Sequence, residues 1–415
     1  MDEESLAGDI FRGGAPGACD FGRRRGMKPV SLLLISDTYP PVMGGSEIEA
    51  QRVSAEMIRR GHRVLVLTSG GAPMPPLRDW VDPAGVPVRV LTRHTTGRPK
   101  DILFALRVAW ALWCERRNYQ IVYFLMQGLH LAAGLPVARA LKKPIVMKVA
   151  GSGVIPLLRG SRAGRTELGW LRRWAARLLI LNEGMMQEAI DEGFHRQQIL
   201  WMPNPVDAEQ FRPGRPEEIA KLRAAFGIPT EALAAVYVGR LSHEKGLPSL
   251  LRGFALASRE EARAMLVLVG DGAMRNELEA MAAKLGLGPS QVRFSGRVDS
   301  SEVPMWLRAS DVFTLMSPNE GFSCALAEAM SAGLPSVVSR IPANVQLIED
   351  EVHGLLVSAG DESAMASALI RLFRDAELRC RMGQAARQRV VNNYSTSQVA
   401  ERYEALFEEV LGEQE

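Results

Sequence analysis

Two carboxylates, Glu320 and Glu328, stand eight residues apart in Ser317-Pro318-Asn319-Glu320-Gly321-Phe322-Ser323-Cys324-Ala325-Leu326-Ala327-Glu328-Ala329-Met330. An apolar run at 311–316 precedes them and reads as a buried strand. From Ser323 the composition turns helical, with Ser323 as a reasonable N-cap. Glu320 then lies ahead of the helix and Glu328 on it, their backbones roughly 10–12 Å apart along the axis. A side-by-side acid and base sit only about 5–9.5 Å apart. The spacing therefore suits two ends of one elongated ligand. The amides of Phe322, Ser323 and Cys324 fall between them, and a helix start attracts phosphate. Two solvated glutamates on a surface helix is the plainer reading of the same residues.

Cations come earlier, in Val238-Gly239-Arg240-Leu241-Ser242-His243-Glu244-Lys245-Gly246. This segment follows an apolar run and does not match GxxxxGK[ST]. Arg240 offers a planar fork of donors and Lys245 a compact charge, so the two could hold a diphosphate and neutralise a departing one. Surface cations beside Glu244 would look the same. Val269-Gly270-Asp271-Gly272 ends the next apolar run, where glycine would let a ligand approach the backbone. A tight turn explains it equally well. The chain has no Asp-x-Asp and no His or Cys cluster at ligand spacing, so the expectation is that protein cations, not a divalent metal, face the phosphates.

The elements that would position these residues alternate regularly. Apolar runs at 30–36, 64–68, 88–91, 121–125, 144–149, 178–181 and 199–202 read as buried strands. Helical patterns lie between them, the first with a capping-box pattern, Ser46 and Glu49. Pro and Gly at 203–216 break the rhythm, and it restarts at 234–238, 264–269, 292–295, 311–316, 335–339 and 354–357. From 366 on the chain reads as helix, with a joint at Tyr394-Ser395. Repeated βα units predict an α/β fold of two Rossmann-like, doubly wound lobes facing a cleft.

Taken in order, Gly239-Arg240, Glu244-Lys245-Gly246, Val269-Gly270-Asp271-Gly272, Val292/Phe294/Gly296, Glu320-Gly321-Phe322, Glu328-Ala329-Met330, Gly333 and Pro335 resemble the retaining glycosyltransferases of family 4. That family has the GT-B fold and an E-x7-E element. The resemblance spans the second lobe and extends more loosely to Gly44-Gly45 and Pro203-Asn204-Pro205-Val206-Asp207. It implies a nucleotide-diphosphate sugar donor, UDP- or GDP-linked, with no cofactor. Glu328 would take the ribose and Glu320 the sugar ring. Gly321, Phe322 and Ser323, with Arg240 and Lys245, would take the diphosphate, and Gly45, Gly239, Gly270 and Gly272 would line the donor. It also implies 27–205 as an acceptor-side domain, 206–393 as the donor domain and 394–415 as a helix crossing back. The family's first-lobe histidine is replaced here by Ala150, in Lys148-Val149-Ala150-Gly151-Ser152-Gly153. His130, after the strand at 121–125, could reach the cleft or simply pack a helix start. Gly151 to Gly153 could offer amides to an acceptor or phosphate, or form a plain turn.

The 415 residues suit two domains, and 47% hydrophobic with 23% charged residues is ordinary for a soluble protein. Cys19, Cys114, Cys324 and Cys380 form no CxxC pair, which fits a reducing, cytoplasmic setting. Residues 27–203 hold 24 Lys+Arg against 13 Asp+Glu, whereas 204–415 hold 22 against 29. The basic half thus suits an anionic partner, such as the inner membrane face or an acidic or lipid-linked acceptor, and the acidic half argues against nucleic acid. Segment 159–177, with six arginines around Trp170, Leu171 and Trp174, could lie on that membrane or be a solvated helix packed by its tryptophans. No run is long enough to span a bilayer, and 1–26 reads as a disordered leader, with Met27 a candidate start. A sugar-nucleotide epimerase of the same fold, or a non-catalytic two-lobed binding protein, remain as alternatives to a transferase acting on a glycan or lipid-linked acceptor.

Overall fold

The computed structural model describes residues 28–41, 44–69, 79–92 and 98–413; the expected leader 1–26 and the Met27 start lie outside them. Two compact units result. The first holds the described residues through Pro205 and those from Thr396 on, and the second holds Val206–Ser395.

The first unit is built on one sheet of β1 (Ser31–Ser36), β2 (Arg63–Ser69), β3 (Asp79–Val81), β4 (Pro87–Thr92), β5 (Ile121–Leu125), β6 (Ile145–Lys148), β7 (Ala175–Ile180) and β8 (Ile199–Trp201). Their order is β3-β4-β2-β1-β5-β6-β7-β8, parallel except for β3 against β4. Every residue of β1 and β5 is buried, as expected for strands covered on both faces. The edge strand β3 has no counterpart in the sequence reading, because three residues are too few to show a period.

The second unit carries β9 (Leu233–Val238), β10 (Ala264–Val269), β11 (Val292–Gly296), β12 (Val312–Leu315), β13 (Ser336–Ser339) and β14 (Gly354–Val357), all parallel, in the order β11-β10-β9-β12-β13-β14. In both sheets the order reverses beside the first strand: β1 lies between β2 and β5, and β9 between β10 and β12. At such a reversal the crossover helices leave to opposite faces and open a crevice at the carboxyl ends of the strands. The two chain crossings lie side by side, with the Val206 amide bonded to the Tyr394 carbonyl at 2.8 Å.

One local expectation fails. The first helix is Gly45–Arg59, with Gly44 at its N-cap and no side-chain cap, so Ser46 and Glu49 form no capping box. Glu49 instead turns into the core, where its carboxylate accepts from Lys148 Nζ and, at 2.9 Å, from Tyr403 Oη. Lys148 is fully buried at the end of β6 and also donates to Asn204 Oδ1 at 2.9 Å. A buried ammonium demands a carboxylate far more than a half-solvated helix amide does, which decides where Glu49 points. Tyr403 lies on the last helix, Thr396–Gly412, and its hydroxyl also meets Tyr123 Oη at 2.9 Å. Glu404 on the same helix is buried between Arg60 (2.9 Å) and His62 (3.0 Å). The apolar positions Val399, Tyr403, Leu406, Phe407 and Val410 complete the core under β1 and β2.

Lys148→Met alone should lower the stability of the first unit by about 3–5 kcal/mol, because Glu49 stays buried without its cation. Adding Glu49→Leu should recover much of that loss. Thermal unfolding of the two variants checks this, and a double variant no more stable than the single would show that the pair itself, not an orphaned charge, is what matters.

Candidate active site

At the carboxyl edge of the second sheet the loops are pressed together backbone to backbone. Gly239 follows β9 with φ +155°, and a Cβ there would lie 2.8 Å from Tyr237 Oη. That hydroxyl donates to the Arg240 carbonyl at 2.8 Å. Gly270 follows β10 with φ +138°, and its Cβ would meet the Gly239 carbonyl at 2.0 Å. A Cβ on Gly272 would come within 2.4 Å of the Leu241 carbonyl. Loop packing therefore explains Gly270 and Gly272. In the direction a Cβ would take, both meet neighbouring backbone.

Gly246, with φ +64°, ends the turn His243–Lys245, and a Cβ there would sit 2.1 Å from the Met316 carbonyl. This close approach seats the loop after β9 against the loop after β12. Lys245 Nζ consequently donates to both oxygens of Glu320, at 2.8 and 3.0 Å. The side chains are 22% and 12% exposed, so the pair is shielded enough to hold its geometry. Lys245 and Glu320, assigned to different parts of a ligand by the sequence, thus hold each other here. Arg240 points to solvent, 79% exposed and 3.6 Å from Glu244. The Glu244 carboxyl lies below its ordinary range, chiefly because the Ser242 hydroxyl donates to it at 2.6 Å.

The helix after β12 is Cys324–Ser331, with Ser323 at its N-cap position but making no capping bond. The Ser323 hydroxyl donates instead to Asn344 Oδ1 at 2.5 Å, while Asn344 Nδ2 holds the Ser339 carbonyl at 2.8 Å. Of the three amides expected to face phosphate, that of Cys324 is bonded to the Phe322 carbonyl at 2.9 Å. Gly321 and Phe322 are half-buried ahead of the helix, and the Phe322 ring lies 6.2 Å from that of Tyr394. Glu328 is buried on the helix.

The first unit contributes its own residues. Gly45 begins the first helix and is exposed. Space beside Gly151 is open, but the Gly153 amide, expected to serve an acceptor or phosphate, is taken by the Glu188 carboxylate at 2.9 and 3.0 Å. His130 is buried in the helix Leu129–Ala140, and burial pushes its pKa down to about 4. In the basic segment, Trp170 and Trp174 stack on each other at 5.3 Å in the helix Arg162–Trp174. Arg177 lies in β7, not on that helix, and binds Glu409 and Glu413. The tryptophans pack and one arginine is neutralised. The Lys148–Glu49 pair was not singled out in the sequence. A lysine closing the apolar strand at 144–149 was the signal available.

Fold and site define a two-lobed α/β protein of the GT-B kind. Residues 218–389 match the glycosyl transferases group 1 model, and residues 44–205 match the glycosyl transferase 4-like domain model. The chain belongs to the group 1 glycosyltransferase family. Its relatives include a D-inositol 3-phosphate glycosyltransferase of Corynebacterium urealyticum, 32% identical over 56% of each chain. The chain thus spans about half the length of that relative. An N-acetyl-alpha-D-glucosaminyl L-malate synthase of Bacillus anthracis is 23% identical, over 91% of this chain and 97% of that one. Among solved structures, Anabaena Alr3699/HepE in complex with UDP superposes with a TM-score of 0.75 at 19% identity, over 92% of this chain and all of that one.

Gly246→Ala should destabilise the second unit by clearly more than Gly286→Ala. Both glycines have positive φ, but nothing lies within 4 Å of a Cβ on Gly286. Gly286→Ala then reports backbone strain alone, about 1 kcal/mol, and Gly246→Ala adds a collision with backbone. Equal melting temperatures for the two variants would mean that the loops are not held at the distance described.

Proposed function

We propose that this protein transfers a sugar, with retention of configuration and without a metal, from a nucleotide-diphosphate sugar to a glycan or lipid-linked acceptor. The observation that carries this reading is the Lys245–Glu320 pair at the reversal point of the second sheet, just ahead of a helix start. An entering donor replaces one ion pair by two better-matched contacts. Its phosphate takes Lys245, and its sugar hydroxyls donate to Glu320. Arg240, free to swing at 79% exposure, supplies the second positive charge. Family resemblance supports retention: the acceptor oxygen attacks the anomeric carbon on the face from which the diphosphate leaves, and a departing phosphate oxygen takes the acceptor proton. The charges that stabilise the leaving group then all belong to the protein. The donor reading is supported by UDP in the complex of the Anabaena structure, and transfer itself by the names of the relatives.

Glu320→Ala and Arg240→Ala should each reduce turnover of the preferred nucleotide sugar by about 100-fold or more, at unchanged melting temperature. Near-normal rates in both would reject this site. Activity should persist in EDTA, and loss restored by manganese would remove the metal-free part of the reading.

A lipid-linked acceptor has separate support. The helix Arg98–Cys114 exposes Ile102, Leu103, Leu106, Trp110 and Trp113, the two tryptophans at 68% and 54%. Lys100, Arg116 and Arg117 flank this face, with the Arg116 guanidinium 4.9 Å above the Trp113 ring. Apolar anchors among cations fit an anionic bilayer surface. This face, not the arginine-rich segment at 159–177, is the better membrane candidate. The protein should sediment with vesicles containing phosphatidylglycerol but not with pure phosphatidylcholine vesicles, and Leu106→Glu with Trp110→Glu should abolish it. Failure of the unmodified chain to sediment would overturn the membrane part.

A further inference from the structure

One helix of the second unit is finished differently from the others. Where Ser161, Asn182, Asp361 or Asp375 stands at an N-cap, its side-chain oxygen accepts from the third helical amide, at Gly164, Met185, Ala364 or Leu378. Such a bond satisfies one of the amides that every helix start leaves over. Ser323 stands at the same place before Cys324–Ser331 and makes no such bond. Its backbone is no obstacle. Ser323 has φ −80° and ψ 78°, and Asp361, which does cap, has φ −82° and ψ 93°. Rotation of one side chain would bring the Ser323 hydroxyl to the Leu326 amide. That amide and the Ala325 amide have no acceptor among the described residues, whereas Cys324 bonds the Phe322 carbonyl and Ala327 the Ser323 carbonyl.

Asn344 holds that hydroxyl away. Its side chain is fully buried on the helix Pro342–Leu347. Nδ2 donates to the Ser339 carbonyl at 2.8 Å, which fixes the orientation of the amide and leaves Oδ1 to accept from Ser323 Oγ at 2.5 Å. Ser339, at the end of β13, donates in turn from its hydroxyl to the Ser317 carbonyl. This chain of bonds grips both ends of the segment 317–323, which carries Glu320 with Lys245 paired to it at 2.8 and 3.0 Å. A cap that is within reach and not made breaks a local rule, and such breaks gather where function requires them. The uncapped start keeps its N–H groups and its partial positive charge for an anion, beside a lysine that carries a full one.

We propose that Asn344 is a positioning residue of the donor site: by holding the Ser323 hydroxyl off the helix start, it keeps the amides of Ala325 and Leu326 open to the donor's diphosphate. The proposal rests on the transferase reading for the identity of that anion. Asn344 is fully buried and acts through Ser323, not on the substrate. Without it, Ser323 caps its own helix at Leu326, and the diphosphate meets a start whose donors are already taken.

Backbone amide exchange, followed by NMR on the purified full chain with UDP and GDP as probes, tests this without any substitution. In the free protein Leu326 is expected to be clearly less protected than the capped amides of Gly164, Met185, Ala364 and Leu378, and to gain protection when the nucleotide that binds is added. Asn344→Ala, at an unchanged melting temperature, should weaken binding of that nucleotide at least about ten-fold, the loss of one charge-assisted amide bond. Adding Ser323→Ala to it should restore most of the lost affinity, because no hydroxyl remains to cap the helix. A merely structural role for Asn344 would make the double variant weaker than the single. Leu326 as protected in the free chain as the four capped amides, normal affinity in folded Asn344→Ala, or a double variant no tighter than the single each overturns the proposal. If Asn344→Ala does not fold, the exchange of the unmodified chain decides alone. Binding that Asn344→Ala leaves intact removes the proposal and keeps the transferase reading, whereas no binding of either nucleotide to the unmodified chain removes both.

Discussion

A parallel sheet puts all its strand carboxyl ends on one edge, and where its order reverses the crossovers leave to opposite faces and open a crevice there. Both units of this chain obey this constraint, at β1 between β2 and β5 and at β9 between β10 and β12. The positions of the candidate site residues follow from it. Asp37, Gln127 and His130 stand beyond β1 and β5, and Lys245 and Glu320 stand beyond β9 and β12. Asp37 and Asp101 stand near the first edge, and Arg240, Lys245 and a helix start near the second.

What turns an open edge into a defined site differs between the units. In the second it is close backbone contact: Gly270 lies on the Gly239 carbonyl and Gly246 on that of Met316. These contacts seat the loops against each other, and Lys245 meets Glu320 across them. The ion pair holds both side chains together at the edge, at 2.8 and 3.0 Å. In the first unit the turn at Met126 and Gly128 does comparable work by pressing an imidazole inward.

Beneath the first edge lies a buried polar network that ties remote parts of the chain together. Lys148 closes β6 and reaches Glu49 on the first helix and Asn204 at the end of the unit, and Glu49 reaches Tyr403 on the last helix. Arg60, His62 and Glu404 form a second such link to the last helix. Buried charges of this kind are satisfied only by partners at fixed positions, so the terminal helix has one place to dock. The loop of Ala150 and Gly151 starts from this anchored lysine.

The sequence alone determined the βα rhythm, because strands buried on both faces need continuous apolar runs such as those at 30–36 and 264–269. It also carried the family resemblance of the second unit, since Gly239-Arg240, Lys245-Gly246 and Glu320 to Glu328 are local patterns that survive as text, and residues 218–389 match the group 1 model. Where side chains point was decided by tertiary structure. Glu49 and Ser323 both read as helix-capping residues, and both turn elsewhere because Lys148 and Asn344, 99 and 21 residues away, offer stronger partners. His130 was legible only as a histidine at a helix start; that its ring is buried with Nε2 unpartnered is a matter of packing that the sequence did not show. Such pairings join residues tens to hundreds of positions apart, and no local period encodes them.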